Sequence, residues 1–221
     1  MTGLARRAAV FDMDGVLVNN SRFHREAWRR LAREEGFALP DPEFWRQAIG
    51  RPVEEAVPRI LGRPVPPVEA ARLARRKTAL YHELADGQAP PVPGVVEFVR
   101  ALAARGVPRA LATSAVADSA ARILEGIGLV SVFPVRVTAG QVQRGKPDPE
   151  VYLTAAARLG VPPAACVVFE DALVGVEAAR RAGMVVIGVT TAYPEAELAA
   201  AGARVVVPDF RRLRWEDVPP G

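Results

Sequence analysis

The segment ACVVFEDALVGVEAARRAGMVVIGVTTA, residues 165–192, decides the fold. An apolar run ends on two acids at Glu170 and Asp171, a helix-like stretch carries the chain to Gly183, and a second apolar run follows at once. The same alternation continues outward. Toward the N-terminus lie VPRALATS (107–114), AVADSAARILEGIG (115–128), VSVFPVRVTAG (130–140) and DPEVYLTAAARLG (148–160); toward the C-terminus lie PEAELAAAG (194–202) and ARVVVPDF (203–210). Strands and helices in turn, with short Gly- or Pro-marked joints, predict an α/β fold with a doubly wound parallel sheet. The apolar run of RAAVFDMDGVLVNN (7–20) should supply its first strand, ending at Asp12.

Between Leu17 and Gly87 the strand signal stops. SRFHREAWRRLAREEGF places Phe23, Ala27, Trp28 and Leu31 on one helical stripe, and VEEAVPRILG and VEAARLARRKTALYHELADG also read as helices. The expected organisation is a Rossmann-like catalytic core, residues 1–16 and 88–221, with a small all-helical cap, residues 17–87, inserted after the first strand. The Pro-rich GQAPPVPG at the exit suits a joint between two such units.

Composition narrows the function classes. The chain has 221 residues, half hydrophobic and 24% charged, enough to bury a sizeable core. Its net charge of +4 comes from basic residues dispersed among acids, with no basic block interleaved with aromatics, so nucleic acid is not expected as a partner. No run approaches the roughly 18 to 20 apolar residues of a membrane span, and the N-terminus lacks a signal peptide pattern. The lone Cys166 reads as a buried thiol in a reducing compartment. A cytoplasmic protein without membrane attachment or an evident obligate protein partner is the expectation. Of 29 basic residues only Lys77 and Lys146 are lysines; the other 27 are arginines. A lysine that survives such a bias points to a place where a compact ammonium is needed.

In open α/β sheets, ligands bind outside the carboxyl ends of the strands. Asp12 and Asp14 follow the first strand, Thr113 and Ser114 follow RALA, Glu170 and Asp171 follow CVVF, and Lys146 lies in the loop RGKPDP. Taken singly, each has a plainer reading: the acids and hydroxyls as turn or helix-cap residues, the lysine as a surface residue. Together they converge. Four carboxylates in one volume repel unless a cation joins them, and hard oxygen ligands suit Mg²⁺. A metal, two hydroxyls and a point-charge lysine leave room for a phosphoryl group. Residues two apart on an extended segment face the same side, so Asp12 can attack phosphorus while Asp14 exchanges a proton with the ester oxygen.

These segments, FDMDGVLVNN, LATSA, RGKPDPEVY and VVFEDALVGVEAARRAGM, resemble in order and spacing the four motifs of the haloacid dehalogenase superfamily, in its subgroup with a helical cap after the first motif. The likeness is greatest to its β-phosphoglucomutase and sugar-phosphate phosphatase branch. It implies Asp12 as nucleophile and metal ligand, and Asp14 as acid/base with its backbone carbonyl on Mg²⁺. It further implies Thr113 and Ser114 as phosphoryl contacts, Lys146 as the neutralising cation, and Glu170 and Asp171 on the metal directly or through water.

Asp14 favours phosphate chemistry over dehalogenation, because the dehalogenases lack that second acid. His24 and Lys77 match cap positions of the mutase that couple closure to the acid/base. The mutase's cap arginine, however, aligns with Val53, with Arg51 nearby, and its polar trio after the second motif aligns with Ala115, Val116 and Ala117. The expected function is therefore an Mg²⁺-dependent phosphatase for a small phosphorylated metabolite such as a sugar phosphate, working through an aspartyl-phosphate. A phosphosugar mutase is the alternative, and a phospho-accepting signalling domain the alternative of another class. His24, Arg51 and Lys77 are the expected substrate contacts on the cap.

Overall fold

The computed structural model describes residues 7–40, 43–85 and 88–219. Six short strands form one parallel sheet: β1 (Ala8–Phe11), β2 (Arg109–Ala112), β3 (Val135–Val137), β4 (Cys166–Glu170), β5 (Val185–Val189) and β6 (Val205–Val207). Their spatial order is β3-β2-β1-β4-β5-β6, so β1 lies centrally, with Val10 opposite Ala110 on one side and Val168 on the other. The order reverses direction at β1, and that switch point is where an open parallel sheet forms its ligand crevice.

Why these strands are apolar throughout follows from the layers. Ala9, Phe11, Val167 and Phe169 point to one face, where they meet α4 (Val95–Ala104) and α5 (Ala117–Gly126). Ala8, Val10, Cys166 and Val168 point to the other, against α6 (Glu150–Leu159), α7 (Leu173–Arg181) and α8 (Glu195–Ala201). Strands covered on both faces cannot alternate polar with apolar. Phe11 and Phe169, on neighbouring strands, stack at 4.6 Å. Truncating either to Ala would cost about 3–5 kcal/mol.

Three helices stand apart from the sheet: α1 (Ser21–Glu35), α2 (Val53–Leu61) and α3 (Pro67–Ala85). The stripe Phe23, Ala27, Trp28 and Leu31 packs with Val57, Ile60, Leu73 and Leu80 into a hydrophobic cluster of its own, distinct from the two beside the sheet. Phe44 joins this cluster, and the half-buried Trp45 packs against it while also lining the cleft. The chain enters the helical segment and leaves it side by side: Val92 N–H bonds to Leu17 O, and Asn19 N–H to Pro90 O. Residues 86 and 87, where that segment was expected to end, lie outside the described residues. No helix among the described residues is long and apolar enough to cross a membrane.

Candidate active site

At the carboxyl end of β1 the chain turns sharply. Gly15 adopts φ +78°, and a Cβ there would fall 1.7 Å from Asp171 Oδ2, so only glycine lets the chain pass between the two acidic loops. Thr191, just past β5, ties the crossing together by donating to Gly15 O (2.6 Å) and lying 3.1 Å from Asp171 Oδ2.

Lys146 is the centre of the buried charges. Its ammonium donates to Asp12 Oδ1 (2.6 Å) and to Glu170 Oε1 (2.7 Å), and its side chain is wholly shielded from solvent. Glu170 Oε1 also accepts the Tyr152 hydroxyl (2.8 Å), and Oε2 accepts the Ala172 amide (2.8 Å). Asp12, Glu170 and Asp171 offer carboxylate oxygens that all lie within 4.8 Å of one another. Three buried carboxylates against one ammonium leave the group short of positive charge. Burial, with Glu170 and Asp14 adding to it against the pull of Lys146, pushes Asp12 up to about 8. Burial and the same carboxylate neighbours hold Asp171 well above the usual range. Burial opposes the charge on Lys146, but Asp12 and Glu170 outweigh it and keep its pKa high. An all-oxygen donor set with excess negative charge is the chemistry a divalent cation such as Mg²⁺ fits.

Asp14 belongs to a second network. Its Oδ1 accepts from Asn20 Nδ2 (2.6 Å) and lies 3.6 Å from His24 Nε2. Asn20 also reaches the Tyr81 hydroxyl (2.8 Å), and Tyr81 stacks on His24 at 4.1 Å. Lys77 Nζ sits 2.6 Å from His24 Nδ1. If the ammonium donates there, the imidazole proton is on Nε2, facing Asp14. Burial and Lys77 push His24 below its ordinary value against the pull of Asp14. Burial works to raise Asp14, yet His24, Asn20 and Lys77 together hold its carboxyl below the usual range. Burial brings Lys77 down to about 8. Both of the chain's lysines are thus buried in the site.

The two networks share one cleft of about 570 Å³, walled by Asp12, Asp14, Thr113, Ser114 and Asp171 from the sheet side and by His24, Arg51 and Lys77 among residues of the helical segment. Lys146 and Glu170 sit behind that wall. Thr113 Oγ1 accepts the Ala115 amide (3.0 Å), which leaves its O–H free to donate; Ser114 Oγ donates to Gly50 O (2.8 Å). Arg51 is half-buried, with Nη1 3.4 Å from Lys146 O. Every candidate site residue named from sequence is therefore at the cleft or directly behind it. Of the four carboxylates expected to share one volume, Asp14's is not among the three clustered acids, because Asn20 holds it in the second network; only its backbone carbonyl remains as the expected metal contact.

A family model described as haloacid dehalogenase-like hydrolase matches residues 6–183. The chain belongs to that family. Among curated relatives, validoxylamine A 7'-phosphate phosphatase of Streptomyces hygroscopicus subsp. limoneus is 38% identical over 97% of this chain and 99% of its own. The β-phosphoglucomutase of Bacillus subtilis is 31% identical over 85% of each chain. Among solved structures, β-phosphoglucomutase from Clostridium difficile superposes with a TM-score of 0.83 at 28% identity, covering 95% of this chain and 94% of that one. This haloacid dehalogenase-like protein is an enzyme of the phosphoric monoester hydrolase type.

Tyr152, Thr191, Asn20 and Tyr81 escaped the sequence reading. Thr191 was within reach, since it follows β5 just as Glu170 and Asp171 stand at the end of β4. Tyr152 was not: it shares a helical stripe with Val151, Ala155 and Ala156, and such a stripe reads as core. His82 is half-buried, with Nε2 2.8 Å from Ser119 Oγ.

Proposed function

We propose that the enzyme is an Mg²⁺-dependent phosphatase acting on a small phosphorylated metabolite, a sugar phosphate in the first instance, through an aspartyl-phosphate. One observation carries the reading: Asp12, braced by Lys146 at 2.6 Å among the buried acids, and Asp14, held by Asn20 at 2.6 Å, face the same cleft. Without a cation, a raised Asp12 and a lowered Asp14 are the reverse of what a nucleophile and an acid need, so in this reading Asp12 ionises with the cation bound. The relatives, a sugar-like phosphate phosphatase and a phosphosugar mutase among them, support the substrate class.

In this reading Asp12 and Asp171 hold the metal with Glu170 beside them, and Asp14 adds its backbone carbonyl. Bound there, Mg²⁺ supplies positive charge for the ionised carboxylates and the phosphoryl oxygens. An ionised Asp12 oxygen attacks phosphorus and the P–O ester bond breaks, while Asp14, which starts ionised, first takes up a proton from solvent in the cleft and then passes it to the departing alkoxide. Asp14 then takes a proton from water, whose oxygen attacks phosphorus and frees Asp12 with release of phosphate. Thr113 and Ser114 orient the phosphoryl oxygens, Lys146 neutralises Asp12, and the segment 17–87 serves as the cap. His24, Lys77 and Arg51 meet the organic part or steady Asp14.

Phosphate release from a panel of phosphate esters, with and without Mg²⁺, tests the reading; no release from any ester, or full activity of Asp12→Asn, would overturn it. The Lys77–His24–Asp14 chain favours a second reading, a phosphosugar mutase. With β-glucose 1-phosphate and a bisphosphate primer, a mutase makes glucose 6-phosphate faster than inorganic phosphate, and the phosphatase does the reverse.

A further inference from the structure

The loop that carries Lys146 has no helix or strand of its own from residue 142 to 149. Its backbone amides are held instead by carboxylates. The Gln143 and Arg144 amides donate to Glu150 (2.9 and 3.1 Å), at the start of α6 in the same part of the molecule. The next amide, Gly145, donates to Glu55 Oε1 (3.1 Å), which comes from the first turn of α2 across the cleft. Gly145 is also closely covered: a Cβ there would lie 2.4 Å from Pro52 Cγ and 2.5 Å from Glu55 Oε1. Two further contacts of the same short stretch, Ser114 Oγ to Gly50 O and Arg51 Nη1 to Lys146 O, reach neighbouring site loops.

We propose that Glu55 is a positioning residue for Lys146, acting from the helical segment through the Gly145 amide. The inference rests on the reading of Asp12 and Lys146 as the phosphoryl-transfer pair. A lysine head on a flexible four-carbon stem keeps a 2.6 Å contact with Asp12 only if the backbone that launches it is fixed. Glu150 fixes that backbone up to Arg144. Glu55 fixes the last amide before Lys146, and it does so only while residues 50–55 are seated on the sheet side. Seating of the helical segment and placement of the catalytic ammonium are then one event.

The test pairs amide hydrogen exchange at Gly145, followed by NMR, with steady-state kinetics on p-nitrophenyl phosphate. Glu55→Ala should speed exchange at Gly145 and lower kcat by about 3- to 10-fold each, with KM within twofold of wild type. Glu55→Gln keeps an acceptor oxygen and should recover most of both. Unchanged exchange in Glu55→Ala overturns the proposal, as does an unchanged kcat, or a raised KM with kcat intact, which would make Glu55 a substrate contact. Glu55 is exposed, so its truncation leaves the hydrophobic clusters untouched, and a thermal melt verifies this. Exchange needs no substrate. Failure of the phosphatase reading shows separately, as full activity in Asp12→Asn.

Discussion

Replacing Lys146 by methionine removes the ammonium but keeps a chain of similar length. Two carboxylate oxygens, Asp12 Oδ1 at 2.6 Å and Glu170 Oε1 at 2.7 Å, lose their shared donor in a site closed to water. Deleting one partner of a buried pair costs about 3–5 kcal/mol. At about 2–4 °C per kcal/mol for a chain of this size, the melting temperature should fall by about 6–20 °C. The assay is thermal unfolding in EDTA at pH 7.5 and at pH 5. A carboxyl whose folded pKa is raised contributes stability present below its unfolded pKa and lost as pH rises through the folded value. The deficit of the variant should therefore be greatest near pH 8 and shrink on acidification. A shift under about 2 °C at pH 7.5, or a deficit that grows toward pH 5, would refute the reasoning.

Three further outcomes are expected. Asp14→Asn should lower kcat by about 10²- to 10⁴-fold, while Mg²⁺ still raises the melting temperature as in wild type; an undiminished rate would remove Asp14 from proton transfer. In wild type, Asp12 pushed up to about 8 and Asp171 raised likewise make the metal-free protein less stable from pH 5 to pH 8, and Mg²⁺, which needs the ionised forms, should stabilise more at pH 8 than at pH 6. Melts across that range with Mg²⁺ or EDTA check it, and an equal gain at both pH values would contradict it. Lys77→Met should stabilise the protein at pH 7 by on the order of 2 kcal/mol, because burial brings the lysine down to about 8, and should slow turnover. That gain should vanish above about pH 11, where the unfolded lysine is also largely neutral. Urea titrations at both pH values decide; destabilisation at pH 7 would show that the Lys77–His24 contact outweighs the cost of burying the charge.

Much of this molecule is legible in its sequence because two physical rules do most of the selecting. Strands covered on both faces must be apolar throughout, so β1, β4 and β5 stand out as unbroken runs. Polar residues that end such runs must then gather on one edge, which is how Asp12, Thr113, Glu170 and Asp171 could be grouped before any coordinates. The rules stop where a functional atom rides on an apolar body. Tyr152 presents its ring to the core and its hydroxyl to Glu170, and only the position of Glu170 distinguishes it from an ordinary core tyrosine. Asn20 fails for another reason: its partners Asp14 and Tyr81 are 6 and 61 residues away, and only the docking of α1 on α3 unites them. Glu55 is less visible still, since nothing in VEEAVPRILG says that one of two adjacent glutamates will grasp the backbone beside Lys146.

The paired crossing of the chain at residues 17–19 and 90–92 has a consequence for how such enzymes diversify. Two strands of backbone that leave the sheet through one doorway make the helical segment a detachable module: a replacement of any size fits if its ends lie equally close, and the β1 register with β2 and β4 need not change. The doorway opens a few residues past Asp14. Exchanging the module would keep Asp12 and the buried acids but would replace Asn20, His24, Lys77 and Tyr81, the companions of Asp14, so under the proposed mechanism a graft that retains phosphoryl uptake on Asp12 but stalls at leaving-group release is the failure to anticipate.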